Sequence, residues 1–390
     1  MIYFCVIQII NCLNKHNIMN KLFSEINLNS SQTLVNALEV SPMTTSQSNP
    51  NGTVSEAEAA WLERLAADGY GLIITCASAI SKQSIAFHNQ LNVGDDSKLP
   101  GLTQLAQRLK PYKAKTVIQL CHAGSRAIPE LTGLPTYSAS SYSLPQIPGF
   151  IPPLTLSTAQ IAAIVEDFAA ACERIAKAGF DGIEFHGANG YLFTQFISTM
   201  TNQRDDEYGG SLMNRARFCR EVVQACRPRV PSDFIVGFRM SFESMGMETG
   251  LDLDENIQIC NWLAEDGIDY LHVSHLQYDA PSIKYPDKIA LQYIRAHVNQ
   301  NLPLVCAGGI TTVENANAAL EYGADIVAIG RAAIGNVKLP DYFAKEESLP
   351  NTTPFSESNL RMLGISEDFL NYFKLPFVAA SLKILITDIP

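Results

Sequence analysis

The chain has 390 residues; at roughly 150 per domain that suggests two or three domains, although α/β barrels run past about 250 residues as one unit. Apolar residues at 47% and charged residues at 17%, with Gly 24 and Pro 20, exclude a collagen-like, coiled-coil or mainly disordered chain. Lys plus Arg at 28 against Asp plus Glu at 39 leaves −11, which excludes a nucleic-acid surface and requires a local site for any phosphate-bearing partner.

In chain order, residues 2–10 (IYFCVIQII) are apolar but too short to span a bilayer, and no basic residue or cleavage site marks a signal peptide. Residues 1–18 are therefore expected to be a non-structural extension, with a core-packing strand as the alternative. The nine cysteines show no CxxC spacing, which points to buried free thiols in a reducing cytoplasm rather than a metal site, and no membrane association is expected.

One joint recurs: a helix ending in Gly, then a run of apolar residues. It reads AADGYGLIIT at 66–75, AKAGFDGIEF at 176–185, AEDGIDYLHV at 264–273 and EYGADIVAIG at 321–330. Each Gly suits a left-handed helix cap, and each following run has the continuous hydrophobicity of a strand buried on both faces. Further strand-length runs lie at 33–42, 115–121, 234–241 and 302–309, and the helix over 158–178 opens on a Ser157/Gln160 capping box. Eight strands alternating with helices predict a single (β/α)8 TIM barrel over 19–340. An open doubly wound sheet is the runner-up, disfavoured by the absence of G-x-G-x-x-G after the first strand. Residues 126–156, with six prolines, predict a lid loop after strand three, and 341–390 a C-terminal tail packing on the barrel or on a neighbouring subunit.

Barrel chemistry sits at the C-terminal strand ends. Strands seven and eight end in Gly308-Gly309 and Gly330-Arg331, a pattern suited to holding a phosphate. Strand four ends in FHGANGYL, offering His186 and Asn189 as hydrogen-bond donors and Tyr191 as a proton donor. Strand three offers Gln119 and His122, strand five Arg239, and strand one Thr44.

Taken together, SPMTT, IQLCHAG, FHGANGYL, RDDEYGGSLMNR, GFRMS, CAGG and AIGRAAIGN resemble the old yellow enzyme family of FMN-dependent ene-reductases, in its His/Asn version, across residues 21–340. The resemblance implies FMN across the barrel mouth. Its phosphate would be held by Gly308, Gly309, Gly330 and Arg331, and its ring would meet Pro42, Met43, Thr44, Ala77, Gln119 and Arg239. It implies NADPH or NADH as transient reductant and ping-pong reduction of an activated alkene: His186 and Asn189 grip the carbonyl or nitro oxygen, and Tyr191 supplies the proton. Arg204, Asp206, Tyr208 and Arg215 would be structural. Thr44 stands where some members carry cysteine, so control through a flavin-contacting thiol is not expected. An FMN-dependent 2-hydroxy-acid oxidase and a non-catalytic flavin-binding barrel remain as alternatives; a homo-oligomer is left open.

Overall fold

The computed structural model describes residues 21–29, 31–144, 150–246, 248–274, 277–382 and 384–386. The expected extension over 1–18 lies outside the described residues.

Eight parallel strands close into a barrel: β1 (Leu38–Val40), β2 (Leu72–Ile74), β3 (Lys115–Cys121), β4 (Gly182–Gly187), β5 (Ile235–Met240), β6 (Tyr270–Ser274), β7 (Leu304–Ala307) and β8 (Ile326–Ile329). Each is hydrogen-bonded to two parallel neighbours, and β8 returns to β1 through Ala328 opposite Glu39. The helices outside are α1 (Glu56–Ala67), α2 (Leu99–Leu109), α3 (Thr158–Ala178), α4 (Leu212–Cys226), α5 (Leu253–Asp266), α6 (Ala290–His297), α7 (Val313–Glu321) and α8 (Arg331–Gly335).

The expected local signals are present. Ser157 and Gln160 form the reciprocal capping box of α3, and Gly179 ends that helix at φ 96°. Between them Ile161, Ile164, Phe168, Cys172 and Ile175 recur at helical spacing and are buried against the barrel wall. Each such apolar side chain stabilises by roughly 1.5–3 kcal/mol on burial, so this stripe fixes α3 far more strongly than helix propensity does.

One expected strand divides. The mainly apolar run 33–42 is expected as one strand, yet only Leu38–Val40 joins the barrel; Thr33–Leu34 pairs antiparallel with Ile26–Asn27. Asn36 causes the break. Its side chain accepts from the Leu38 N–H at 3.1 Å and donates to the Gly69 carbonyl at 2.8 Å, turning the chain between the two segments. The detached hairpin plugs the barrel's lower end, where Leu28 and Leu34 pack with Leu72, Val117, Ile235, Val305 and Ile326.

The segment after β3 has structure of its own. A short helix, Pro129–Thr132, ends at Gly133 with φ 67°, and Tyr137–Ser138 pairs in parallel with Leu154–Thr155. Arg204 fastens both ends, donating to the carbonyls of Ala139 at 2.6 Å and Leu156 at 2.5 Å while paired with Asp206. Arg215 pairs with Glu255 at 2.7 Å, and the Tyr208 hydroxyl donates to Glu221 at 2.8 Å. The charged run after β4 therefore ties segments together.

Beyond the eighth unit, α9 (Glu367–Lys374) packs back on the barrel mouth. Phe369 meets the Trp61 ring edge-on at 5.3 Å, and Gln47 donates to the Ser366 hydroxyl at 2.9 Å. The seven described cysteines are buried free thiols. Among the described residues no helix is long and apolar enough to cross a membrane.

Candidate active site

The register of β4 and β5 sets His186 directly opposite Arg239. His186 is only 4% exposed, and its Nδ1 is buried with no partner among the described residues. Burial, reinforced by the nearby Arg239 and Arg126 charges, holds its pKa well below the usual imidazole range, so the ring is neutral. A neutral imidazole with an unused buried nitrogen is suited to a hydrogen bond with a ligand oxygen.

The chain then turns sharply. Asn189 adopts φ 59°, a left-handed conformation that Asn tolerates better than most side chains, and Gly190 follows at φ 76°. The turn is held at three points. The Asn189 N–H donates to the Ser241 hydroxyl at 3.2 Å, the Asn189 carbonyl accepts from the Arg126 guanidinium, and the Gly190 N–H donates to Glu248 at 3.0 Å. Strained backbone secured this thoroughly is characteristic of a functional site.

Tyr191 caps the following short helix, Leu192–Ile197, whose first N–H donates to the His122 carbonyl at 3.0 Å. Its ring lies 4.9 Å from that of His186, and Arg126 stands over its face at 4.7 Å. Burial pushes the phenol pKa above its ordinary value, more than Arg126 lowers it. The hydroxyl thus keeps its proton at any physiological pH. His122, also named from the sequence, is buried and pushed down to about 3; its Nδ1 accepts from the Gly124 N–H at 3.1 Å, which gives it a turn-holding role.

Arg126 and Glu248 escaped the sequence reading, because their importance lies in contacts across 58 or more positions of chain. Burial raises the Glu248 carboxyl to about 7, against the hydrogen bonds from Ser241 and Gly190 that favour its ionised form. Below that pH the neutral acid holds the Gly190 N–H and the Arg126 charge more weakly. The KM for substrate in the wild type is expected to rise as pH falls through about 7, and Glu248→Gln is expected to flatten this limb; steady-state kinetics across that range measure both.

Beside this corner opens a cavity of about 570 Å³. Its lining brings together eight of the sequence-predicted cofactor residues, Pro42, Met43, Thr44, Arg239, Gly308, Gly309, Gly330 and Arg331, with Asn189 of the catalytic set. Ala77, Gln119, His186 and Tyr191 are not in that lining. Ala77 is buried with its carbonyl accepting from Gln90 at 2.8 Å, and the Gln119 amide donates to Glu184 at 2.7 Å. A larger cleft, about 610 Å³ and lined in part by Lys82, His88 and Lys98, contains none of the predicted strand-end residues.

The cavity suits a phosphate-bearing planar cofactor. Gly308 and Gly309 adopt φ 150° and 67°, and a Cβ on Gly309 would collide with the Gln277 amide oxygen. At Gly330 the nearest atom to such a Cβ is Met43 Sδ at 3.6 Å, so its backbone stays open to a ligand. Arg239 donates one bond, to Ser274 at 3.0 Å, and its Nε is buried without a partner. Neither Arg239 nor Arg331 has a carboxylate within ion-pair distance among the described residues. The donors left over match an anionic phosphate and an electron-rich ring edge. The opposite wall comes from α9, which contributes Phe369, Tyr372 and Phe373 to the same cavity as Thr44. Spacing of these aromatics at i, i+3 and i+4 was a usable sequence signal for a buried helical face.

The sequence profile of the NADH:flavin oxidoreductase / NADH oxidase family matches residues 21–349. The chain is 34% identical over 317 residues to the probable NADH-dependent flavin oxidoreductase YqiG of Bacillus subtilis, covering 80% of this chain and 84% of that protein. It is 32% identical over 332 residues to the NADPH dehydrogenase of Listeria monocytogenes, covering 84% and 94%. Against the NADH:fumarate oxidoreductase of Klebsiella pneumoniae, 34% identical over 321 residues, it spans only 34% of the longer protein. Among solved structures, the old yellow enzyme homologue from Zymomonas mobilis superposes with a TM-score of 0.76 at 26% identity, covering 87% of this chain and 96% of that one. With fold, glycine cradle and sequence in agreement, the chain belongs to the NADH:flavin oxidoreductase / NADH oxidase family, the old yellow enzyme lineage, an NAD(P)H-dependent oxidoreductase with FMN as its cofactor.

Proposed function

We propose that this protein reduces the C=C bond of α,β-unsaturated carbonyl or nitro compounds. The observation that carries the reading is the pairing, on one turn, of the neutral His186 with its partnerless buried Nδ1 and the proton-retaining Tyr191, beside Asn189 at the cavity edge. Bound FMN supplies the chemistry of a two-electron carrier between NAD(P)H and the alkene. His186 and Asn189 hold the carbonyl or nitro oxygen, drawing electron density away from the double bond. Tyr191 places a hydroxyl proton at the α-carbon, and Arg126 keeps its ring in place. Gly308, Gly309, Gly330 and Arg331 hold the phosphate; Thr44 and Arg239 face the ring, with Gln119 and Ala77 supporting that floor. The buried free thiols fit a reducing cytoplasm.

Anaerobic half-reactions test this directly. NADPH or NADH should bleach the bound flavin, and cyclohexenone or a nitroalkene should restore its colour. If the reduced protein is re-oxidised by oxygen but by no activated alkene, the reading is wrong.

A further inference from the structure

The barrel interior carries a polar layer that reaches the cavity at Arg239 on β5 and otherwise consists of buried side chains: Glu39 on β1, Gln119 on β3, Glu184 on β4, and Tyr270 and His272 on β6. Glu184 is fully satisfied. One oxygen accepts from Gln119 at 2.7 Å; the other accepts from the Tyr270 hydroxyl at 3.0 Å and lies 2.9 Å from His272 Nδ1. Three donors on one carboxyl favour its ionised form.

Glu39 is the opposite case. It is 0% exposed, and neither carboxyl oxygen has a hydrogen-bond partner among the described residues. One of them lies 3.6 Å from the same His272 Nδ1, which is already engaged with Glu184. Opposite it on the neighbouring strands stand only Ala328 and Leu72. Two carboxyls around one imidazole, both shut off from bulk solvent, do not both ionise. Burial, and then the Glu184 charge, push Glu39 well upward against the pull of Arg239, so it holds a proton.

We propose that Glu39 is a charge-setting residue for the cofactor: protonated, it leaves the Arg239 guanidinium's field free to favour the reduced flavin, and ionised, it cancels that field. Glu39 acts through Arg239 and does not touch the ring. With the proton in place the layer holds one carboxylate and one guanidinium. Loss of the proton adds a second buried negative charge to the layer and offsets the Arg239 field, so the flavin becomes harder to reduce. The inference rests on Arg239 facing the flavin, as in the proposed function.

The test is the midpoint potential of bound FMN against pH in the wild type, Glu39→Gln and Arg239→Gln holoenzymes, together with thermal unfolding of the wild type and Glu39→Gln. At the acid end the wild type and Glu39→Gln should share one potential; as pH rises the wild-type potential should fall below that of the variant. Unfolding should move in parallel. A carboxyl whose folded pKa is raised loses stability as pH climbs from the ordinary carboxylate range toward the raised value, so Glu39→Gln should match the wild type in acid and exceed it in alkali. Should Glu39→Gln not fold, Glu39→Met carries the same test. Potentials that superimpose at every pH, or differ by a constant offset, overturn the inference. If Arg239→Gln lowers the potential while Glu39→Gln is silent, only the role of Glu39 fails. If Arg239→Gln leaves the potential unchanged, the placement of Arg239 fails and takes this inference with it.

Discussion

Tyr191→Phe is expected to slow enone reduction about 10²–10⁴-fold, the usual contribution of a positioned proton donor, and to leave flavin reduction by NAD(P)H at its wild-type rate. The two half-reactions separate because only the alkene half needs a proton at carbon. Removing the hydroxyl leaves the ring, its 4.9 Å contact with His186 and the Arg126 cation over its face, so the turn that carries Asn189 should survive. The hydroxyl is held protonated by burial. Loss of rate should therefore be nearly constant between mildly acid and mildly alkaline pH. Stopped-flow measurement of both half-reactions decides the matter, and unchanged enone turnover would remove Tyr191 from the donor role.

Arg331→Ala is expected to weaken FMN binding about 10–100-fold, because a charge-assisted hydrogen bond contributes roughly 1.5–3 kcal/mol. Arg331 opens α8 directly after Gly330 and borders the cavity. Having no carboxylate partner among the described residues, it gives up no structural ion pair when replaced. The fold should stand while the cofactor leaves. Recovery of flavin fluorescence on dilution gives the dissociation constant. A tightly yellow variant would place the phosphate elsewhere.

Much of this architecture was legible in the residue order. Gly179 and Gly267 each end a helix in the left-handed region, as the recurring Gly joints required, and the strand ends deliver most of the predicted cofactor set to one cavity. What escaped was non-local. Within the mainly apolar run from 33 to 42, Asn36 alone does not reveal the break that it introduces through a bond to Gly69, 33 residues away. The ladder within the segment after β3 has two residues on each side, too short for periodicity to register. Arg126 and Glu248 are ordinary surface residue types until the turn at Asn189 brings them together. The tail is expected from sequence to pack on the barrel or on a neighbouring subunit, but the place is not legible, because the Trp61 ring that Phe369 meets lies some three hundred positions earlier.

The wall contributed by α9 imposes an order on assembly. Translation delivers the chain N-terminus first, so Pro42, Met43 and Thr44 leave the ribosome long before Phe369, Tyr372 and Phe373, which share their cavity. A nascent barrel that has reached Arg331 already has the strand-end residues of the cavity, Pro42 to Thr44, Arg239, Gly308, Gly309, Gly330 and Arg331, but lacks the wall that α9 adds. Enclosure comes only when the last of these aromatics arrives and Phe369 seats on Trp61. The cavity is thus completed by residues that follow the eighth strand and fold back onto the first helix.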